Sequence, residues 1–365
     1  MKIRLTTFHT PKNYGAVLQA YSLMSYLNKF SDDVKIIDYN TPELRAKYPI
    51  IPKSKNFKQF AAKMIMLPLY IGKKNKYEKF DCFVKNKLNL TERYENLSAL
   101  TSSRIEADTV ITGSDQVFNP TRISDERKAF YLDFVPNGIK RVSYAASFGV
   151  KSIPDEKYDE IANYLKKFDL ISVRESAGID IVKDLSGKKA TEVLDPVFLN
   201  DKIFWSNTAK PYKKKFENYL FYYRLMNSAD SDRTARKIAK EKNLRLVVMT
   251  DGLLKWKADK VLRDVGPDEF LYLTQFADYV VTDSFHGVAF SLIFEKQFAF
   301  SDINPATNER GLNLLKNAGI DRIAFCSAPE FSTELNYSKI NARLSALIIK
   351  SQNFLEKALG GTDND

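Results

Sequence analysis

The stretch Tyr279-Val-Val-Thr-Asp-Ser-Phe-His-Gly-Val-Ala-Phe-Ser-Leu-Ile-Phe294 indicates the fold of this chain. Its first four residues are typical of a buried strand, and the apolar run after the short polar turn is typical of a helix. The turn carries His286. The only other histidine in 365 residues is His9, which ends the first predicted strand. Ligands of open α/β sheets bind beyond the carboxyl ends of strands, and imidazole moves protons near neutral pH. Both histidines therefore lie where function is expected.

Strand and helix signals alternate in the same way along the rest of the chain. In the first half, strands are predicted at 3–8, 34–38, 109–112, 141–146, 170–173 and 192–194, with helices at 15–30, 156–167 and 176–184. In the second half, strands are predicted at 219–223, 244–249, 279–282 and 297–300, with helices at 228–242, at 288–295 and in a segment ending near Phe276. Such alternation builds parallel sheets from βαβ units. The sequence therefore predicts an α/β protein with two doubly wound, Rossmann-like domains facing a cleft.

The length of the chain also favours two domains, because one hydrophobic core rarely serves 365 residues. Asp195-Pro196 breaks the alternation, and the sequence is irregular to about Asn218. We therefore predict an N-terminal domain at 1–205 and a C-terminal domain at 206–337, followed at 338–365 by a terminal helix and a frayed tail.

Composition narrows the classes of protein that the chain can belong to. A hydrophobic content of 44% is typical of a folded globular protein. Cys82 and Cys326 match no metal-ligand spacing and are typical of a reducing compartment. No secretory signal and no span of about 18 apolar residues is evident. We therefore expect a cytoplasmic protein without a bound metal.

The net charge of +11 is concentrated in residues 41–93, where 13 Lys and Arg stand against 4 Asp and Glu. Within this basic segment, 53–79 could rest on the inner membrane face or hold an anionic acceptor. The plainer interpretation is a helical excursion that packs Phe57, Phe60, Met64 and Leu67 on its own domain. Nucleic acid is not expected as a partner, because no recognised binding motif accompanies the charge.

Several predicted strands end in loops of small and polar residues. After the first strand, Asn13, Tyr14 and Gly15 could hold an anion at a helix N-terminus, although these residues alone favour a plain capped turn. Neither GxGxxG nor GxxxxGK[ST] is present, so neither a nicotinamide cofactor nor a P-loop is predicted.

Three further segments carry polar side chains suited to sugar hydroxyls or anions. Ser114, Asp115 and Gln116 follow the strand at 109–112 and could contact sugar hydroxyls or could form a self-satisfied turn. Tyr144, in the segment 143–149, has the same character. Arg174 follows another strand and could clamp a carboxylate or phosphate, or could simply pair with its neighbour Glu175.

His286 is the strongest catalytic candidate, because the turn around Ser284 and Gly287 places it at a strand end. Asn308 and Arg310 follow the next predicted strand and could supply another positive group. The alternative for His286 is a hydrogen-bonded structural histidine.

In order along the chain, these segments resemble the polysaccharide pyruvyl transferase family. The matching pieces are NYGAVLQAY at 13–21, TGSDQVFNP at 112–120, SYAASFG at 143–149, SVRES at 172–176, LDP at 194–196, TDSFHG at 282–287 and NER at 308–310. Many members carry Arg-x-His-Gly around the histidine, and this chain has Ser284 at the arginine position.

The resemblance implies a two-domain fold similar to GT-B glycosyltransferases. It also implies transfer of a pyruvyl group from phosphoenolpyruvate, the co-substrate, onto two hydroxyls of a glycan sugar as a cyclic ketal. No further cofactor is expected. His286 would be the general acid/base, with Arg174, Arg310, Ser284, Gly287 and Asn308 at the donor.

The acceptor implied by the resemblance is a lipid-linked or nucleotide-linked glycan of cell-envelope synthesis. The acceptor side would be the N-terminal domain with the basic segment 41–93, and the residues would be His9, Asn13, Tyr14, Gly15, Ser114, Asp115, Gln116 and Tyr144. Two alternatives remain, a nucleotide-sugar glycosyltransferase of the GT-B type and a non-catalytic glycan-binding protein.

Overall fold

A computed structural model describes residues 1–46, 49, 67–122, 124–301, 305–320 and 334–360. Side chains are not described at 67–68, 122 and 305–309. The chain forms two compact units. The first unit contains the described residues of 1–47, 84–200 and 344–365, and the second contains those of 48–83 and 201–343.

The first unit is built on a seven-stranded parallel sheet in the order β3-β2-β1-β4-β5-β6-β7. Its strands are β1 (Lys2–Thr6), β2 (Asp33–Tyr39), β3 (Leu90–Tyr94), β4 (Thr109–Thr112), β5 (Lys140–Ala146), β6 (Leu170–Val173) and β7 (Ala190–Glu192). Its helices are α1 (Tyr14–Leu27), α2 (Pro42–Ala46), α4 (Leu97–Ser102), α5 (Tyr158–Leu165) and α6 (Ala177–Ser186). Every residue of β4 is buried, as expected for a central strand covered by helices on both faces.

The second unit is built on a five-stranded parallel sheet in the order β10-β9-β8-β11-β12. Its strands are β8 (Tyr219–Tyr223), β9 (Arg245–Met249), β10 (Lys260–Leu262), β11 (Tyr279–Thr282) and β12 (Phe298–Phe300). Its helices are α7 (Lys202–Thr208), α8 (Ala229–Glu241), α9 (Pro267–Gln275), α10 (Phe285–Ile293) and α11 (Pro305–Asn317). Helices α3 (Leu67–Lys87) and α12 (Tyr337–Ala358) each begin in the second unit and end in the first.

Both sheets reverse their strand order at one place, and ligands of doubly wound proteins bind at such switch points. In the first unit the reversal falls between β1 and β4, where Ile3 pairs with Thr109. In the second it falls between β8 and β11, where Tyr223 pairs with Thr282. The two histidines follow β1 and β11, so each belongs to a strand that borders a switch point.

The domain limits differ from the prediction in three respects. The division falls between Asn200 and Asp201, slightly before 205. The described part of 48–83 packs with the second unit, whereas the basic segment was predicted to belong to the N-terminal domain. The end of α12 packs with the first unit, where Phe354 and Leu355 join its core. Contacts between distant segments decide these limits, and local patterns do not reveal them.

Helix α3 shows how its part of the basic segment is used. Lys76 is 6% exposed and donates to both carboxylate oxygens of Asp251, at 3.0 and 2.8 Å. Lys79 donates to both carboxylate oxygens of Glu269, at 2.8 and 2.7 Å. These lysines therefore bind the second unit. Phe57, Phe60 and Met64 lie outside the described residues, as does the side chain of Leu67. No helix in the described ranges is long and apolar enough to cross a membrane.

Candidate active site

The switch point of the second unit is held together by a buried carboxylate. Asp283 follows β11 and is 7% exposed. Its two oxygens accept hydrogen bonds from the backbone N–H groups of Leu225, at 2.9 Å, and Met226, at 2.6 Å, just after β8. Burial raises the pKa of Asp283, although these backbone donors act in the opposite direction. The carboxylate fixes the two loops that flank the switch point.

His286 follows Asp283 closely in the sequence and lies in the first turn of α10. Its side chain is largely buried, with 8% of the residue exposed, and its ring lies perpendicular to that of Phe285. Ser284 occupies the N-cap, and its backbone N–H donates to Thr282 Oγ1 at 3.0 Å. A helix N-terminus favours a nearby negative charge. The histidine thus combines a proton-transfer group with an environment suited to an anionic substrate.

Gly287 has a packing role that the donor-binding prediction did not anticipate. A Cβ atom built on this residue would lie 2.2 Å from Thr282 Oγ1 and 2.8 Å from Thr282 Cβ. Side chains cannot approach this closely, so only glycine lets α10 pack against the end of β11. Gly287 therefore sets the position of the helix that carries His286.

Arg310 belongs to the same unit as His286. It lies on α11, which packs against α10, and it is half-buried. Asn308 is on the same helix, but its side chain lies outside the described residues. Of the two arginines predicted at the donor, Arg310 is the one in the same unit as the histidine.

Arg174 lies in the first unit, inside a buried ionic cluster. Its Nη1 atom donates to Asp195 Oδ2 at 2.8 Å and to Ser114 Oγ at 3.1 Å. Ser114 Oγ also donates to Asp195 Oδ2, at 3.0 Å. Asp195 is 1% exposed and Arg174 is 5% exposed. This pairing compensates the charge of Arg174 and gives Arg174 and Ser114 a scaffolding role. The predicted ligand contacts of the two residues stay a prediction.

Glu175 acts electrostatically on Arg174 and also holds a neighbouring loop. Its Oε1 atom accepts hydrogen bonds from Ser147 Oγ at 2.8 Å, Phe148 N at 2.9 Å and Gly149 N at 3.3 Å. Three donors on one carboxylate oxygen fix the loop after β5. Glu175 lies just after β6, so the conformation of the loop after β5 depends on a residue of the neighbouring strand end.

Two predicted acceptor residues are structural. His9 is 1% exposed, with Nδ1 3.1 Å from Thr7 O and Nε2 3.1 Å from Asp38 Oδ1. Tyr144 is fully buried, and its hydroxyl donates to Leu194 O at 3.2 Å. Both side chains are buried in the core and do not face an open surface, and their assignment to the acceptor stays a prediction.

Some of the remaining predicted residues stabilise a helix terminus, and the others are partly accessible to solvent. Asn13 caps α1 by accepting from Ala16 N at 3.1 Å, and Tyr14 and Gly15 are buried in the first turn of that helix. Asp115 and Gln116 are half-buried beyond β4. Asp115 has φ +79°, a strained value for a side chain other than glycine. Such strain is often found at functional sites, so this loop keeps its place as a candidate.

Comparison with known proteins identifies a family for most of the chain. The family model for polysaccharide pyruvyl transferase matches residues 13–304. The chain belongs to the polysaccharide pyruvyl transferase family. It is accordingly a transferase. A comparison with curated proteins gives no match.

Solved structures place this pyruvyl transferase family member in a known architecture. It is similar to the UDP-GlcNAc 2-epimerase from Neisseria meningitidis bound to UDP-GlcNAc, with 10% identity, a TM-score of 0.51 and coverage of 100% of this chain and 95% of that chain. It is also similar to AviGT4, a glycosyltransferase involved in avilamycin A biosynthesis, with 10% identity, a TM-score of 0.51 and 99% coverage of both chains. These likenesses confirm the two-domain, Rossmann-like GT-B fold and carry no information on substrate.

Sequence reasoning missed the structural role of two acidic residues. Asp195 and Asp283 anchor loops in their own units, yet the sequence presented them only as members of the matching segments LDP and TDSFHG, just after predicted strands. A carboxylate there reveals neither which donors it meets nor that it is buried. Among the described residues, no group of three or more His, Cys, Asp and Glu side chains is placed to hold a metal ion.

Proposed function

We propose that this protein transfers the pyruvyl group of phosphoenolpyruvate onto two hydroxyls of a glycan sugar, forming a cyclic ketal in cell-surface polysaccharide synthesis. The observation that carries this proposal is the position of His286 in the structure of a chain that belongs to the polysaccharide pyruvyl transferase family. The histidine lies in the first turn of α10, beyond β11 at a switch point. A proton donor beside a helix N-terminus matches the needs of an anionic enol ester.

The proposed reaction requires one proton to reach the methylene carbon of the donor and two hydroxyl protons to leave the sugar. His286 gives a proton to the methylene carbon of phosphoenolpyruvate, and an oxocarbenium-like carbon forms at C2. The first sugar hydroxyl attacks that carbon and releases its proton to the imidazole. The C2–O bond to phosphate then breaks, and an oxocarbenium-like carbon forms at C2 again. The second hydroxyl attacks this carbon and closes the ketal, and its proton leaves on the departing inorganic phosphate. No cofactor is required, because the co-substrate supplies the activated carbon.

The donor's negative charge needs a positive group near His286. Ser284 stands where many family members have arginine, and its side chain carries no charge. Arg310 is the proposed replacement, because α11 packs against α10. The N-terminal turn of α10 adds a partial positive charge. Arg174 is not proposed for this role, because Asp195 already compensates it inside the first unit.

For the acceptor, we propose a lipid-linked or nucleotide-linked glycan, with Asp115 and Gln116 as contacts to sugar hydroxyls. Both are half-buried at the carboxyl edge of the first sheet, and Asp115 Oδ1 accepts from Gln116 N at 2.8 Å. Contact of 53–79 with the inner membrane face stays a prediction. Lys76 and Lys79, which lie in that range, bind Asp251 and Glu269.

The test is transfer from phosphoenolpyruvate to a glycan acceptor, followed as phosphate release and as a mass gain on the sugar. His286→Gln should lower kcat by roughly 10²–10⁴, the usual contribution of a general acid–base group. Because a bound ligand stabilises the folded state, phosphoenolpyruvate should raise the melting temperature of the wild type and of His286→Gln. The shift should be lost in Arg310→Ala. Full activity of His286→Gln would refute the assignment.

The alternatives give different outcomes in the same assay. A nucleotide-sugar glycosyltransferase would be stabilised by a nucleotide-sugar and would ignore phosphoenolpyruvate. A non-catalytic glycan-binding protein would be stabilised by the glycan alone.

A further inference from the structure

A group of positive side chains lies in the second unit, apart from His286. We call Lys73, Lys76 and Arg263 the cation cluster, and all three interact with the carboxylate of Asp251. Lys76 Nζ donates to both oxygens of Asp251, at 3.0 and 2.8 Å. Asp251 also acts electrostatically on Lys73 and on Arg263. Three cations therefore share one carboxylate.

The packing of α3 fixes this geometry. A Cβ atom on Gly72 would lie 3.0 Å from Cβ of Arg263, so the helix lies directly against that arginine. Arg263 donates through Nη2 to Gly252 O at 3.2 Å, and its buried Nε atom has no hydrogen-bond partner within the described ranges. Lys73 Nζ donates to Pro49 O at 2.8 Å. The cations are thus held in place by the scaffold.

Among the described residues, Asp251 is the carboxylate that acts on Lys73 and on Arg263. Neighbouring cations have their own partners, since Lys79 pairs with Glu269 at 2.7 Å and Lys213 pairs with Asp264 at 2.6 Å.

Two members of the cluster lie where burial disfavours their charged forms. Burial lowers the pKa of Lys73, Asp251 acts in the opposite direction, and the charge of Lys76 adds a smaller lowering effect. Burial also lowers the pKa of Arg263. An anion bound among these groups would relieve their repulsion and stabilise their charged forms.

The position of the cluster separates it from the donor chemistry. Asp251 and Arg263 follow β9 and β10, at the carboxyl edge where ligands of such sheets bind. His286 follows β11, and β8 lies between β9 and β11. With strands about 4.8 Å apart, the ends of β9 and β10 lie roughly 10 to 14 Å from the end of β11. The phosphate of phosphoenolpyruvate is one bond from the reacting carbon and cannot span this distance.

We propose that the cation cluster binds the diphosphate that joins the acceptor glycan to its carrier. This inference rests on the proposed function and specifies the acceptor as a diphosphate-linked glycan. Cationic nitrogens bound to phosphate oxygens form strong, charge-assisted hydrogen bonds, and Arg263 offers a planar fork suited to two of them. A nucleoside diphosphate and a lipid diphosphate share this group.

The test measures binding of inorganic pyrophosphate to the full chain by calorimetry at low salt. The variants are Arg263→Gln and Lys73→Gln, and the matched control is Lys74→Gln. Lys74 is on the same helix, exposed and paired with Glu78 at 3.8 Å. Each cluster variant should weaken Kd about tenfold or more, the equivalent of one lost charged hydrogen bond. The control should keep the wild-type Kd, and rising salt should weaken binding.

Two further arms identify the carrier and separate this proposal from pyruvyl transfer. Uridine diphosphate and farnesyl diphosphate are compared with pyrophosphate, and the carrier that binds more tightly than pyrophosphate is the natural one. Phosphoenolpyruvate binding should be unchanged in Arg263→Gln.

Several results would overturn the proposal. They are absence of pyrophosphate binding, equal binding by Arg263→Gln and the wild type, and loss of phosphoenolpyruvate binding in Arg263→Gln. Diphosphate binding that depends on Arg263 in a protein that ignores phosphoenolpyruvate would support this site while refuting pyruvyl transfer. Lys73 is half-buried, so Lys73→Gln keeps the test usable if Arg263→Gln does not fold.

Discussion

Gly287→Ala should disturb the catalytic helix directly. The added Cβ would meet Thr282 Oγ1 at 2.2 Å and Thr282 Cβ and Cγ2 at 2.8 Å. Either α10 moves away from β11 or Thr282 rotates. Rotation would break the hydrogen bond from Ser284 N to Thr282 Oγ1, which measures 3.0 Å. Both responses displace the turn that carries His286.

The expected cost is the balance of three contributions. Overpacking of this kind costs about 1–3 kcal/mol, and loss of the Ser284 hydrogen bond costs about 1 kcal/mol. Alanine in a helix recovers roughly 1 kcal/mol relative to glycine. Gly287→Ala should therefore lower the free energy of unfolding of the second unit by about 1–3 kcal/mol.

Gly178→Ala is the graded control, because Gly178 also follows its strand by five residues. A Cβ there would lie 3.0 Å from Val173 Cβ, a much milder contact than the 2.2 Å at Gly287. We expect the helix-propensity gain and the packing cost to nearly cancel at Gly178. The two glycines thus occupy equivalent positions with different amounts of space.

The assay is urea denaturation followed by tryptophan fluorescence and circular dichroism. Both tryptophans, Trp205 and Trp256, lie in the second unit, so fluorescence reports on the unit that contains Gly287. Circular dichroism follows both units and serves the Gly178 control. In the double variant with Thr282→Ala, part of the clash disappears, so the two costs should sum to more than the measured total. Stability of Gly287→Ala equal to or above that of the wild type would refute the close-packing argument.

Three other substitutions or conditions test the structural assignments. Asp195→Asn leaves Arg174 buried without its counter-ion and should destabilise the first unit by about 3–5 kcal/mol, measured by urea denaturation; a loss below 1 kcal/mol would contradict the scaffolding role. Tyr144→Phe should lower the free energy of unfolding by only about 1 kcal/mol, for one hydrogen bond, and should leave transfer activity intact. A large loss of activity would instead support Tyr144 as an acceptor contact. Burial alone would raise the pKa of Asp232, but hydrogen bonds from Arg224 and other donors lower it. Its contribution to stability is therefore fully present above the unfolded pKa of about 4 and is lost as pH falls through the folded value, which acid titration of the fluorescence transition would show.

The strand pattern of the sequence was predicted well wherever the strands are buried. β4, β6, β8 and β11 have the predicted bounds, because each is a short run of apolar or β-branched residues with turn signals on both sides. The strands that the prediction missed are β3 and β10, at sheet edges, where β3 is largely unburied and reads LTERY. Edge strands have less apolar surface to bury, so their sequence carries a weaker signal.

Site residues were harder to predict than strands. Loop positions at strand ends were identified from sequence, yet His9, Tyr144 and Arg174 point inward to partners 20 or more residues away, apart from the Thr7 carbonyl that His9 also contacts. Local sequence does not show whether a polar side chain at a strand end faces solvent or a buried counter-charge.

The sequence by itself determined the βα alternation, the two-domain α/β class and the family, because hydrophobic period and ordered motifs are local properties. Tertiary structure decided which polar residues are scaffold and which remain accessible. It also decided that the described part of 48–83 packs on the second unit and brings Lys73 and Lys76 beside Arg263. These outcomes depend on contacts between segments far apart in the chain, where burial and charge pairing are set by neighbours that local sequence does not specify.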